Sequence, residues 1–200
     1  LAIAQRSQQL LAQLEANTAA FVMDAYNYQS IDDSGTPLYT MNTCHLPVEI
    51  DPNGHCIRVS PNYFAQNPME TADGTPLLDQ LIQDERTLNL LVPEQYRGQE
   101  ADILAAHLEA FYFHTVTAAN DYNEMAQQPE RLSLTPEDLS VHIIYVQDGQ
   151  RYFTYRPDCA PQTSNWITDP LVQIYTGNIH CNYAHSILSQ WAYYPSQAGS

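Results

Sequence analysis

Residues 141–155 constrain this chain most. Val141-His142-Ile143-Ile144-Tyr145-Val146 and Arg151-Tyr152-Phe153-Thr154-Tyr155 are β-branched and aromatic runs, separated by Gln147-Asp148-Gly149-Gln150. An Asp-Gly pair between two such runs is a strong hairpin signal, because the short turn needs residues that tolerate positive φ. The segment therefore predicts a β-hairpin at about 141–155. Residues 166–175 add a further strand across Pro170, which makes a C-terminal antiparallel sheet.

Helical periodicity governs most of what precedes it. Ile3, Leu10, Leu14 and Phe21 recur at intervals of seven and four, and Leu11, Val22 and Ala25 widen the stripe. Residues 2–28 thus read as one long amphipathic helix, either a stalk or a core-packing element. Two middle helices are expected. Thr75-Pro76 offers an N-cap and a proline at the first helical position ahead of Leu77, Leu78, Leu81, Ile82 and Leu88, with an end near Leu91. The second runs over about 99–125, with Ile103, Leu104, Leu108 and Phe111 facing the core, and a short helix over 183–191 closes the chain. Four turn clusters make 29–73 a long irregular region with strand candidates at 48–50 and 56–59, and loops of that length often carry function. The expected fold class is α+β, divided into the helix at 1–28 and a single disulfide-stapled domain at 29–200.

Charge narrows the partners. The chain has 23 acidic residues against seven arginines, no lysine at all, and a formal net charge of −16. A field this negative, without a basic patch, repels nucleic acid and anionic lipid headgroups. The absence of lysine removes Schiff-base chemistry and the P-loop lysine. No run of about 18 apolar residues is present. Because the chain opens with Leu1 and passes straight into helical sequence, a signal peptide or membrane segment upstream of this chain is expected.

Cys44, Cys56, Cys159 and Cys181 are even in number and lie in loop-like surroundings without a Cys-x-x-Cys. That pattern suggests two disulfides and an extracytoplasmic location: periplasmic, cell-surface or secreted. Four cysteines allow three connectivities. Local pairing, Cys44 with Cys56 and Cys159 with Cys181, is the simplest, although a tight turn at Asp51-Pro52-Asn53-Gly54 would leave Cys44 out of reach of Cys56.

Three groups of residues could carry binding or chemistry. Glu100, His107, His114 and Asp121 are each seven apart, which keeps all four on one helix face but about 10 Å apart in rise, too far to share one ion. They could line a groove or meet a partner. Tyr145, Tyr152 and Tyr155 belong to a tyrosine-rich C-terminal third that suits a contact surface, since tyrosine combines a large rigid area with a polar handle. His45, His55, His180 and His185 flank cysteines and form a candidate metal set that competes with disulfide formation for sulfur. Hydrolase, zincin, phosphate-loop and calcium-loop motifs are all missing, and no cofactor is expected.

These observations point to an exported binding, sensing or assembly module, non-catalytic and tethered through its first helix, whose partner is a protein, a second copy or a small ligand. A leading helix at 2–28, a later sheet and a Cys159–Cys181 span are loosely similar to the plan of type IV pilins, which implies a filament subunit as an alternative. An extracytoplasmic enzyme or metal-binding protein is the other. A pocket with convergent His, Asp or Glu of shifted titration would favour the enzyme, and a ligand cavity without them the binding module.

Overall fold

The computed structural model describes residues 2–42, 46–128, 131–178 and 180–195. Its class is α+β. Helix α1 (Ala2–Asn17) leads into β1 (Phe21–Asp24) and, after an irregular stretch, β2 (Cys56–Val59). The single turn α2 (Tyr63–Gln66) and a 3-10 turn (Leu77–Gln80) precede β3 (Thr87–Pro93). A middle helical segment follows, made of α3 (Glu100–Tyr112), a π-helical turn (Phe113–Thr117) and α4 (Ala118–Met125). The last third holds β4 (Ser140–Val146), β5 (Arg151–Phe153), β6 (Trp166–Thr168), β7 (Leu171–Ile174), α5 (Cys181–Gln190) and β8 (Ala192–Tyr193).

Six strands form one mixed sheet in the order β4-β3-β7-β2-β1-β8, and β5 pairs with β6 apart from it. The β3–β4 and β2–β7 pairs are parallel; the other three are antiparallel. Parallel neighbours need a crossover instead of a tight turn, and between β3 and β4 the middle helical segment supplies it. Alternate strand residues serve opposite faces. Leu90, Val92, Leu171 and Cys56 pack with Ile103 of α3, and Leu88 packs with Phe111 and Val116. Leu91, Val172, Ile174 and Ile144 join a larger cluster with Tyr63, Leu77, Tyr152 and Ile167. Helix α5 packs along α1, where the Ser7 hydroxyl lies 3.2 Å from His185 Nδ1.

Several expectations are corrected. The first helix stops at Asn17 and does not continue to 28. The Thr18 N–H and hydroxyl both turn back to the Leu14 carbonyl, and the hydroxyl accepts the Ala20 N–H. Phe21, Val22 and Met23 then enter the sheet fully buried. The expected helix at 75–91 is not formed: only the 3-10 turn at Leu77–Gln80 is helical, and its end, from residue 87 on, is β3, every residue of which is buried. A strand covered on both faces reads as a continuous apolar run, and its leucines mimicked a helical face.

The hairpin at 141–155 does not form, because β4 pairs with β3 and β5 with β6. The Asp148-Gly149 turn is present, with Gly149 at φ +81°. However, its N–H groups are taken by other segments: Gly149 and Gln150 donate to the Asp169 carboxylate at 2.9 Å, and Gln147 donates to the Glu70 carbonyl at 3.0 Å. The C-terminal region is therefore part of a mixed sheet and also carries α5. Residues 166–175 are two strands, and 48–50 form a turn.

The disulfide framework is also corrected. Cys56, Cys159 and Cys181 are free and buried, and Cys44 lies outside the described residues. Their surroundings keep them apart: Cys56 packs with Ile50 and Leu90, Cys159 sits in the opposite cluster with its thiol towards the Ala25 carbonyl, and Cys181 opens α5. Against the expectation of a membrane-anchored chain, no helix of the described residues is long and apolar enough to cross a membrane.

Candidate functional site

A cleft of about 470 Å³ opens where β1, β2 and β7 face α3, the π-turn and α5. Its floor is polar where the sheet would normally be apolar. Asp24, Arg58 and Gln173 each interrupt an apolar strand, and the β2–β7 register places Arg58 beside Gln173, while the β1–β2 register places Asp24 opposite Arg58. Ala110 and His114 line one wall, Tyr183, Ile187 and Trp191 the other, and Pro52 and Asn53 the rim.

The floor is braced by a buried relay. Arg58 Nη2 donates to Gln173 Oε1 at 3.2 Å, and arginine has no acceptor, so the Gln173 amide nitrogen faces His107. His107 Nδ1 accepts from it at 3.2 Å, and Nε2 donates to the Ile50 carbonyl at 3.2 Å. This fixes the tautomer. His107 is fully buried, and burial holds its pKa down at about 4, so the ring is neutral.

The π-turn sets the second histidine. Phe111 and Val116 are five residues apart and both buried in one cluster. An α-helix would rotate them apart by about 140°, so the wider turn is what lets both face the core. π-turns of this kind recur at functional sites. Here it carries His114 to the cleft wall, where Nδ1 lies 3.0 Å from the Tyr183 hydroxyl. Burial, reinforced by Arg58, holds His114 at about 4 as well. Asp24 is raised by burial although Arg58 pulls it down, and its Oδ1 accepts the Tyr26 N–H at 3.0 Å. The Cys56 thiol in the floor is pushed up to about 12 by burial, so it stays protonated.

No protein family, curated protein or solved structure matches this chain. The cleft therefore speaks through its own residues.

The sites read from sequence scatter around it. Of the seven-residue stripe, His107 and His114 reach the cleft system. Glu100 instead accepts the Tyr145 hydroxyl at 2.6 Å and the Gly98 N–H at 2.8 Å, and Asp121 is exposed on α4. The tyrosines do not share one face: Tyr145 lies under Arg97, Tyr152 is in the core, and Tyr155 packs on Phe21, Phe153 and Tyr193 while accepting from Asn67. His55 is in edge contact with Tyr39, His180 caps α5 by accepting the Asn182 N–H, and His185 meets Ser7. His45 lies outside the described residues, among which no group of three or more His, Cys, Asp or Glu is placed to hold a metal ion. Sequence reasoning missed Asp24, Arg58 and Gln173 as a set. The available signal was a single polar residue inside each of three short apolar runs, Val22-Met23-Asp24, Ile57-Arg58-Val59 and Val172-Gln173-Ile174.

Proposed function

We propose that this protein is a non-catalytic binding domain for a small polar molecule, held in the cleft above Arg58. The observation that carries the reading is the state of that guanidinium. Arg58 is the only Lys or Arg among the described residues lining the cleft, it faces the open volume, and most of its five donors are unspent. Small-ligand sites characteristically pair apolar walls with a few fixed polar groups, and Ile187 and Trp191 stand beside Arg58, Asp24 and Gln173 here. Free, buried thiols suit a reducing as well as an oxidising compartment, so the proposal concerns binding and not location.

A catalytic reading draws on one observation, the convergence of Asp24 and His114, both with shifted titration, on the same cleft. The direction of the shifts favours binding. A histidine held at about 4 is a weak base at neutral pH, and the protonated Cys56 offers no nucleophile.

Screening polar metabolites by thermal shift, against the parent protein and Ala110→Phe, tests the proposal. Ala110 lines the cleft, and a phenyl ring there would narrow it. A ligand that raises the melting temperature of the parent but not of the variant is expected. Binders indifferent to Ala110→Phe, or turnover of the bound compound, would overturn the reading.

A further inference from the structure

Two arginine–carboxylate pairs in this molecule differ in geometry. Arg156 closes on Asp158 with two nitrogens, Nε at 2.8 Å and Nη2 at 2.6 Å, as a bidentate pair should. Arg58 does not close on Asp24. The two are Cα partners in the β1–β2 ladder, yet Nη1 stops 3.8 Å from Oδ2. Its other terminal nitrogen is held by Gln173, which is fixed by His107, which is fixed in turn by the Ile50 carbonyl. The relay braces the guanidinium away from its carboxylate, and both groups remain partly exposed to the cleft, at 23% and 15%.

We infer that the cleft takes a zwitterion of the α-amino-acid type, its carboxylate on Arg58 and its ammonium on Asp24. This rests on the binding reading above and adds the ligand's chemical class. An open pair of opposite charges is complementary to a ligand carrying the same two charges a few ångströms apart. The field of the whole chain selects in the same direction: at −16 it opposes the approach of a simple anion, whereas a zwitterion carries no net charge. A simple cation would meet Arg58 beside Asp24. The apolar walls at Ile187 and Trp191 receive the side chain. Burial raises the Asp24 carboxyl, so an ammonium beside it would stabilise the ionised form.

The test titrates the standard L-amino acids into the protein while following backbone amide resonances. For L-leucine and for the tightest binder, it adds the matching amine without the carboxylate and the matching acid without the amino group. At least one amino acid should shift resonances of β1, β2 and β7, and removing either charged group should weaken binding about tenfold or more, which is about 1.4 kcal/mol. Asp24→Asn should weaken the amino acid by a similar factor without weakening the deaminated acid. The analogue comparison needs no variant and so stands if Asp24→Asn fails to fold. A deaminated acid as tight as its amino acid would make the cleft an anion site, which overturns the zwitterion while the binding reading survives. Absence of binding by every amino acid overturns it too. Binding reading and zwitterion fall together only if the metabolite screen also finds no ligand sensitive to Ala110→Phe.

Discussion

Glu15 and His107 bury ionisable groups with opposite consequences for stability. Glu15 Oε1 is buried without a hydrogen-bond partner among the described residues, and burial raises its carboxyl to about 7 despite a bond from the Ser60 hydroxyl. Between its ordinary value of 4.5 and about 7, the folded protein keeps a proton that the unfolded chain has released. Its contribution to stability is thus full below about pH 4.5 and lost as the pH rises to about 7. Glu15→Gln, neutral throughout, should exceed the parent by about 2 kcal/mol at alkaline pH and lose that advantage in acid; urea unfolding at both extremes checks this. His107 runs the other way. With its ring held at about 4 against an ordinary 6.5, its contribution is full above 6.5 and lost as the pH falls to about 4. His107→Leu leaves the Ile50 carbonyl and Gln173 unpaired, so about 2–4 kcal/mol should be lost at neutral pH, with a shallower decline in acid; denaturant melts across pH 4–7 would show both.

Among the elements, the connection from residue 47 to β2 is the most exposed to a single change. A Cβ on Gly54 would collide with the Val48 carbonyl, and that carbonyl also receives the His55 N–H at 2.7 Å. Asn27 ties the same turn by donating to the carbonyls of Pro52, Gly54 and Cys56. Gly54→Ala should therefore cost about 1–3 kcal/mol, read by thermal unfolding, and should also weaken cleft binding because Pro52 and Asn53 form the rim.

The elements also differ in how legibly the sequence announces them. The helical segment 100–125 and α5 show periodic apolar faces, and the seven-residue spacing of His107 and His114 marked the histidine that braces the cleft floor and the one that lines its wall. β3 carries no period because it is covered on both faces, and the Asp148-Gly149 pair specifies a turn but not which strands it joins. The floor escaped detection for a related reason. Asp24, Arg58 and Gln173 meet only through strand register, and register is a property of pairing that no single segment encodes.

Over the whole molecule, acidic self-repulsion dominates. Only three arginine–carboxylate pairs lie within 4 Å among the described residues, the open Arg58–Asp24 and the closed Arg97–Glu94 and Arg156–Asp158, against a net charge of −16. Added salt should screen more repulsion than attraction, with a Debye length of about 10 Å at 0.1 M. The melting temperature is expected to rise by a few degrees, about the effect of 1 kcal/mol in a chain of this size, between low and physiological ionic strength. A flat or falling melting curve in a sodium chloride series would contradict this.

The sheet order has a consequence for how the chain is made. β7 lies between β3 and β2, so the two halves of the sheet are joined by a strand at 171–174. A nascent chain emerging from the ribosome exposes an unpaired edge on β2 and another on β3 until that strand arrives, and β1 waits longer still for β8. Folding in the order of synthesis is therefore closed to this topology. The growing polypeptide must remain soluble with these adhesive edges open, and a ribosome stalled before residue 171 would carry a chain prone to sticking to its neighbours.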